Sequence, residues 1–157
     1  RGRRDRETEI KERKREKRER MLPSKGLRNR PGENNCFLNV GIQSLWHLHS
    51  FRTQFLVHEK HRHRAESCVF CALKAVFTQY KYSEASIIPP DMLRNALHIL
   101  YHNAKRFQRG TVDDAAEALE AILTCLDAEL RPPSHEKAEG KVRTQPTFTQ
   151  TVFEFSV

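Results

Sequence analysis

Cys36 is the residue whose type and position could most directly do chemistry. It follows the loop Gly32-Glu33-Asn34-Asn35 and opens a run of apolar residues at helical spacing. A thiol at a helix N-terminus lies beside unpaired N–H groups and the positive end of the helix dipole, and both favour the nucleophilic thiolate. The same N–H groups and the neighbouring Asn amides could stabilise an oxyanion. Since free cysteines usually pack as small apolar side chains, a buried structural Cys36 is the alternative.

A second group of chemically competent residues lies about 30 positions downstream. Cys68 and Cys71 form a C-x-x-C pair, and His61 and His63 precede them closely. Two thiolates and two imidazoles at such spacing are typical of a structural zinc site. Two cysteines packed at a helix start, without metal, are the alternative. The fourth cysteine, Cys125, is predicted to lie in the core.

The elements that must position these residues are mostly helical. Apolar residues at i, i+3 and i+4 spacing predict four helices. The first runs over 36–57 with a break near Ser50, and the second follows the C-x-x-C pair. The third opens at Pro89-Pro90-Asp91, and the fourth is capped by Thr111 and stopped by Pro132-Pro133. Residues 147–157, rich in Thr, Phe and Val, predict one strand that has no partner in this sequence, with a disordered segment as the alternative.

Charge is concentrated in the first residues of the chain. The 157 residues hold 28 Lys and Arg against 20 Asp and Glu, and residues 1–20 alone hold 11 against 6. We therefore divide the chain into a basic arm that is helical or disordered (1–22), a single domain (23–130), and a linker with the strand (131–157). Nucleic-acid binding is expected only through the arm, because the domain is only mildly basic.

Other features of the sequence indicate the cellular compartment of the protein. No apolar run approaches the roughly 18 residues of a membrane span, so no membrane association is expected. No secretory leader opens the sequence, and its four cysteines lack the spacing of a disulfide framework. These features predict a reducing intracellular compartment, the cytoplasm or the nucleus.

The segment Gly26–Asn39 resembles the Cys box of ubiquitin-specific proteases, whose pattern is close to G-L-x-N-x-G-x-x-C-[YF]-x-N. The following Ile42–Trp46 is similar as well. An atypical subgroup, often labelled inactive or hydrolase-related, is nearer still. It shares the longer Pro-Gly spacing before the cysteine, the C-x-x-C-A-L of Cys68–Leu73 and a segment like Asp113–Glu117. The resemblance covers about residues 25–130.

This resemblance implies the N-terminal helical thumb portion of a papain-like cysteine-protease α+β domain. It implies that Cys36 is the nucleophile and that Asn29 supports the oxyanion. Because two extra residues separate Asn29 from the cysteine, Asn34 is the alternative for that role. Asp114 and Glu117 match the acids that meet the basic tail of ubiquitin, with helix capping as the alternative. The chemistry of the family needs no cofactor, so zinc would be structural.

The resemblance leaves the catalytic base open. The family places its catalytic His in a C-terminal box resembling G-H-x-x-x-Y, and these 157 residues contain no such segment; His98, His102 and His135 lie in other contexts. We therefore expect a truncated, thiol-dependent deubiquitinase domain whose partner is ubiquitin or polyubiquitin. The alternatives are an inactive pseudoenzyme that only binds ubiquitin, an interaction fragment acting through the basic arm, and a truncated product without a folded role.

Overall fold

The computed structural model describes residues 25–131 and 146–154, together with Arg6. These residues are mostly helical, as predicted, and contain one small parallel sheet. In chain order the elements are β1 (Gly26–Leu27), α1 (Cys36–His47), α2 (His49–Val57), a 3-10 turn (Ala65–Ser67), α3 (Val69–Tyr82), β2 (Ile87–Ile88), α4 (Asp91–Leu100), α5 (Ala115–Leu130) and α6 (Phe148–Glu154). No helix of this described part is long and apolar enough to cross a membrane.

The predicted break in the first helix occurs at Leu48, two residues before the expected position. Leu48 adopts an extended conformation (φ −72°, ψ 102°), and its N–H donates to the carbonyl of Ser44 at 3.1 Å. The break turns the chain so that α1 and α2 contribute separate faces to one core. Trp46, just before the break, stacks on Tyr80 of α3 with ring centroids 4.8 Å apart.

Aromatic side chains dominate the core between α2 and α3. Phe51, Phe55 and Phe77 are fully buried. The Phe77 ring meets Phe51 at 6.2 Å and Phe55 at 5.4 Å, both edge to face. Phe148 of α6 contacts the same group, with its ring 5.8 Å from Phe51. Edge-to-face pairs add favourable quadrupole interactions to the area that they bury.

The predicted strand over 147–157 is wrong, because residues 148–154 form helix α6. Thr147 and Gln150 make a capping box: the Gln150 side chain accepts from the Thr147 N–H at 2.9 Å, and the Thr147 hydroxyl accepts from the Gln150 N–H at 3.2 Å. Asp127 of α5 also accepts hydrogen bonds from the N–H and the hydroxyl of Thr149. These local and tertiary bonds outweigh the strand propensity of Thr, Phe and Val.

A short parallel sheet, which the sequence did not predict, holds the chain upstream of Cys36. Gly26 pairs with Ile87 and Leu27 with Ile88, and the Arg28 N–H extends the ladder to the Ile88 carbonyl at 2.9 Å. The sheet therefore fixes the loop before α1 to the connection between α3 and α4.

The cap of α5 also differs from its prediction. Asp114, and not Thr111, is the N-cap residue: its Oδ1 accepts the N–H groups of Ala116 and Glu117 at 2.8 and 2.9 Å. The Thr111 hydroxyl instead donates to the Gln108 carbonyl at 2.8 Å. An aspartate outranks a threonine as a cap, since its charge also complements the helix dipole. The predicted arm, apart from Arg6, and most of the predicted linker lie outside the described residues.

Candidate active site

Cys36 is the first residue of α1, as predicted, and its side chain is exposed. The alternative of a buried structural thiol is therefore wrong. The helical ladder begins with the Asn39 N–H donating to the Asn35 carbonyl at 2.8 Å. The N–H groups of the first helical residues precede this ladder and have no intrahelical acceptor. The exposed sulfur thus lies beside unpaired donors at the positive end of a helix dipole.

Asn29 holds the loop that leads to the thiol. Its side-chain oxygen accepts the N–H of Asn35 at 2.8 Å. This bond leaves the side-chain amide N–H groups of the exposed Asn29 without a partner in the described part of the chain. One further bond closes the loop against α1, from the Asn39 side chain to the Arg28 carbonyl at 3.2 Å. The role of Asn29 as an oxyanion donor stays a prediction.

An ion-pair network supports the same loop from outside. Arg28 donates to Glu33 at 3.1 Å and to both carboxylate oxygens of Asp91 at 2.6 and 2.7 Å. Glu33 also accepts the N–H of Arg30 at 2.9 Å. This backbone hydrogen bond, together with the charge of Arg28, holds the pKa of Glu33 below its usual value. The network links the Cys36 loop to the start of α4.

Two glycine turns meet next to the candidate nucleophile. Gly32 and Gly110 have φ of +84° and +76°, a region that favours glycine. A Cβ at Gly110 would lie 3.6 Å from the Gly32 carbonyl oxygen. The Asn34 side chain joins the turns by donating to the Gly110 carbonyl at 2.8 Å. One N–H of the Asn34 amide is therefore committed to this link, and its role at the oxyanion stays a prediction.

Arg94 of α4 is a residue of this site that sequence reasoning missed. Its side chain is only 5% exposed, lies over the Phe37 ring at 4.7 Å, and donates to the carbonyls of Gln108 and Thr111. Burial lowers the pKa of Arg94, while the charges of Asp113 and Cys36 oppose that shift. Arg94 lies at i, i+3, i+4, i+7 spacing with Leu97, His98 and Tyr101, on the inner face of α4. A charged residue at a position of this apolar pattern was the sequence signal that could have identified it.

The two predicted ubiquitin-binding acids lie together at the start of α5 and are both exposed. Asp114 caps the helix through one carboxylate oxygen. Glu117 accepts a hydrogen bond from Arg106 at 2.9 Å. The capping alternative therefore describes Asp114 correctly, but it does not exclude a second role for either carboxylate.

The predicted zinc ligands converge in space. The ligand atoms of His61, His63, Cys68 and Cys71 all lie within 4.8 Å of one another. The Cys71 sulfur is 3.1 Å from His61 Nε2 and 3.5 Å from His63 Nδ1. Burial raises the pKa of the Cys71 thiol to about 11. Cys125 is partly buried within α5, and burial raises the pKa of its thiol as well.

No histidine in residues 25–131 or 146–154 is hydrogen-bonded to Cys36. His98 and His102 of the α4 region pack on each other, with ring centroids 5.5 Å apart. His135 lies outside the described residues. The described part of the chain thus brings together the candidate nucleophile and its supporting loop, without a histidine bonded to it.

Comparisons with known proteins agree with the resemblance of the Cys box. Residues 25–157 match the family model described as ubiquitin carboxyl-terminal hydrolase. Mouse ubiquitin carboxyl-terminal hydrolase 54 is 48% identical over 137 residues, which are 85% of this chain and 9% of that protein. Human ubiquitin carboxyl-terminal hydrolase 53 is 41% identical over 112 residues, 71% of this chain and 10% of that protein. The chain therefore spans about a tenth of the length of these two relatives.

Proposed function

The chain belongs to the ubiquitin carboxyl-terminal hydrolase family, and from this premise we propose that it contributes the nucleophile and the ubiquitin-tail contacts of a thiol-dependent deubiquitinase. The observation that carries the proposal is the exposed Cys36 at the first position of α1, behind a loop held by hydrogen bonds at both ends. Exposure admits a substrate, and the fixed loop keeps the sulfur beside the unpaired N–H groups.

The reaction would be an acyl transfer in two steps. The Cys36 thiolate attacks the carbonyl carbon of the C-terminal glycine of ubiquitin, and the amine of the conjugated protein leaves with a proton. Water then hydrolyses the resulting thioester, which releases the ubiquitin carboxylate and regenerates the thiol. Helix N–H groups and the uncommitted amide of Asn29 are suitable donors for the oxyanion. No cofactor takes part in these steps.

A general base is also required, to take the thiol proton and return it to the leaving amine. We propose that this base comes from outside the described residues. The absence of a described histidine bonded to Cys36 and the small share of the relatives that this chain spans both support that view.

We propose that Asp114 and Glu117 bind an Arg in the tail of ubiquitin. Both carboxylates are exposed, and they lie three residues apart at one end of α5. Asp114 keeps Oδ2 for a ligand while Oδ1 caps the helix. The Arg106–Glu117 pair is exposed, and such pairs contribute only about 0–1 kcal/mol, so a ligand guanidinium can replace Arg106.

We also propose an intracellular location, in the cytoplasm or the nucleus. Four free cysteines support it, because thiols persist in reducing compartments and a cysteine nucleophile must stay reduced.

Ubiquitin carrying a C-terminal electrophile tests the nucleophile. We expect the wild-type chain to form a one-to-one covalent adduct, detected by intact mass, and expect Cys36→Ser to abolish it. Cys125→Ser is the matched control, because Cys125 lies elsewhere, in α5, and this variant should retain the adduct. An adduct that persists in Cys36→Ser would overturn the assignment.

A ubiquitin-binding pseudoenzyme is the second candidate function, favoured by the absence of a described base near Cys36. It predicts chemical-shift changes in labelled ubiquitin on titration with the chain, weakened by Asp114→Asn with Glu117→Gln, and no adduct with the electrophile. That combination would retain the ubiquitin contacts and reject catalysis.

A further inference from the structure

We propose that His61, His63, Cys68 and Cys71 bind one structural Zn²⁺ ion, which fastens the segment between α2 and α3 to the start of α3. This site is separate from Cys36 and does not depend on the proposed deubiquitinase activity. Four ligand atoms from two short segments already lie within 4.8 Å of one another.

The distances fit a tetrahedral ion. With Zn–S of about 2.3 Å and Zn–N of about 2.0–2.1 Å, adjacent corners of a tetrahedron are about 3.3–3.8 Å apart. The Cys71 sulfur lies 3.1 Å from His61 Nε2 and 3.5 Å from His63 Nδ1, close to those values. Small side-chain rotations would therefore complete the coordination without a change in the backbone.

The donor set selects zinc. Two thiolates neutralise the charge of a divalent ion, and two imidazoles complete a closed Cys₂His₂ site with no open position for substrate. Soft sulfur and imidazole donors disfavour Mg²⁺ and Ca²⁺, which prefer oxygen. A site closed in this way is structural rather than catalytic.

Outer contacts orient the His61 ring as a metal ligand requires. Its Nδ1 lies 3.4 Å from the Glu59 carbonyl oxygen, which leaves Nε2 directed at Cys71. The ring also stacks on Phe70, with centroids 4.3 Å apart. A metal-binding histidine commonly donates its other ring N–H to a backbone carbonyl, which fixes both its tautomer and its orientation.

The cysteine pair is held just as firmly by α3. Cys68 is 2% exposed and serves as the N-cap of α3, where its sulfur accepts the Cys71 N–H at 3.5 Å. The buried Glu129 carboxylate accepts the N–H groups of Val69 and Phe70, the first two residues of α3. The backbone carbonyl of Glu129 accepts the N–H of Arg62, which lies between the two histidines, at 2.7 Å. One residue of α5 therefore fixes both halves of the ligand set.

Apart from hydrogen bonds and ring contacts, the segment has little apolar surface to bury. Residues 58–64 form no regular secondary structure, and their composition, His-Glu-Lys-His-Arg-His-Arg, offers no aliphatic or Phe side chain to bury. The free energy of zinc binding would supply the order that hydrophobic burial cannot.

Metal analysis of the full chain, purified without chelator, tests the proposal. We expect about one zinc per chain, and expect both Cys71→Ser and His63→Ala to reduce it by at least tenfold. His63 is exposed, so its substitution removes a ligand without opening the core. The matched controls, Cys36→Ser and His102→Ala, change exposed residues outside the cluster and should retain the metal.

Cobalt gives a second readout on the same protein. We expect Co²⁺ to produce the visible absorption of a tetrahedral thiolate complex, and expect one equivalent of Zn²⁺ to abolish it. Less than a tenth of an equivalent of zinc in the wild type would overturn the proposal. Full zinc content in His63→Ala would overturn the four-ligand site equally.

Discussion

Arg94 and Cys36 have different roles at this site: one holds a neighbouring loop in place, and the other is the candidate nucleophile. Cys36, the candidate nucleophile, is exposed, whereas Arg94 is buried and bonded to two backbone carbonyls of the loop that carries Gly110. The guanidinium also lies over Phe37, the residue after the cysteine. Burying a cation is costly unless it is paired and hydrogen-bonded. Here two carbonyls, the charge of Asp113 and an aromatic face offset part of that cost, while Nε and Nη1 of Arg94 have no hydrogen-bond partner among the described residues.

Replacing this cation should destabilise the fold. We expect Arg94→Met to lower the free energy of unfolding by about 2 kcal/mol, because the carbonyls of Gln108 and Thr111 lose a charged donor. Urea denaturation followed by circular dichroism measures the loss. Arg109→Met is the control: Arg109 is exposed and bonds to Asn95, so its replacement should cost no more than about 0.5 kcal/mol. Equal losses in the two variants would contradict the assigned role of Arg94.

At the level of elements, N-cap residues determine where several of the helices begin. Asp114 caps α5, Cys68 caps α3, and Thr147 with Gln150 caps α6. The last of these is a local T-x-x-Q capping box, which favours a helix where β propensity alone predicts a strand. Glu129 acts between elements, since it is an α5 residue that binds the N–H groups of Val69 and Phe70 at the start of α3.

Glu129 should therefore be important for joining the two helices. We expect Glu129→Gln to lower the free energy of unfolding by about 2 kcal/mol, because the amide keeps the shape but loses one acceptor and the charge that complements the helix dipole. Hydrogen exchange of the α3 amides and urea denaturation measure the effect. Glu120→Gln, an exposed change on the same helix, should leave both nearly unchanged. Unaltered exchange at the start of α3 in Glu129→Gln would refute this interhelical cap.

The whole molecule positions its candidate nucleophile by bringing distant segments together. The sheet joins residues 26–28 to 87–88, and Asn34 contacts Gly110, which is 76 positions away. Beneath these loops, α1 packs against α5, and the aromatic cluster of Phe51, Phe55 and Phe77 joins α2 to α3. The position of the Cys36 loop therefore depends on the integrity of the core.

Substitution of Phe77 tests how much this core contributes to stability. We expect Phe77→Ala to lower the free energy of unfolding by about 3–5 kcal/mol, because it opens a cavity among three aromatic rings. Calorimetric or urea unfolding measures it. Phe153→Ala, which removes a ring that is 36% exposed, should cost about 1 kcal/mol. A loss from Phe77→Ala no larger than that of the control would contradict a core centred on this cluster.

Local spacing was sufficient for several features of the fold and the site. The start of α1 at Cys36, the amphipathic α3 and the grouping of His61, His63, Cys68 and Cys71 all follow from neighbours within about ten positions. Helix caps, apolar periodicity and short ligand spacings are properties of such windows. The strand predicted over residues 147–157 is wrong, although the deciding feature is equally local: the capping box of Thr147 and Gln150 outweighs β propensity there.

Features that join distant positions could not be obtained in this way. The parallel pairing of residues 26–27 with 87–88, the burial of Arg94 against Phe37, and the reach of Glu129 to α3 depend on which surfaces meet after folding. A charged residue on an inner helix face indicates that some partner must exist, but the partner's identity depends on packing across the molecule. Residue order thus specified a thiol at a helix start, whereas long-range contacts established its exposure and the loops around it, because burial is a property of the assembled core.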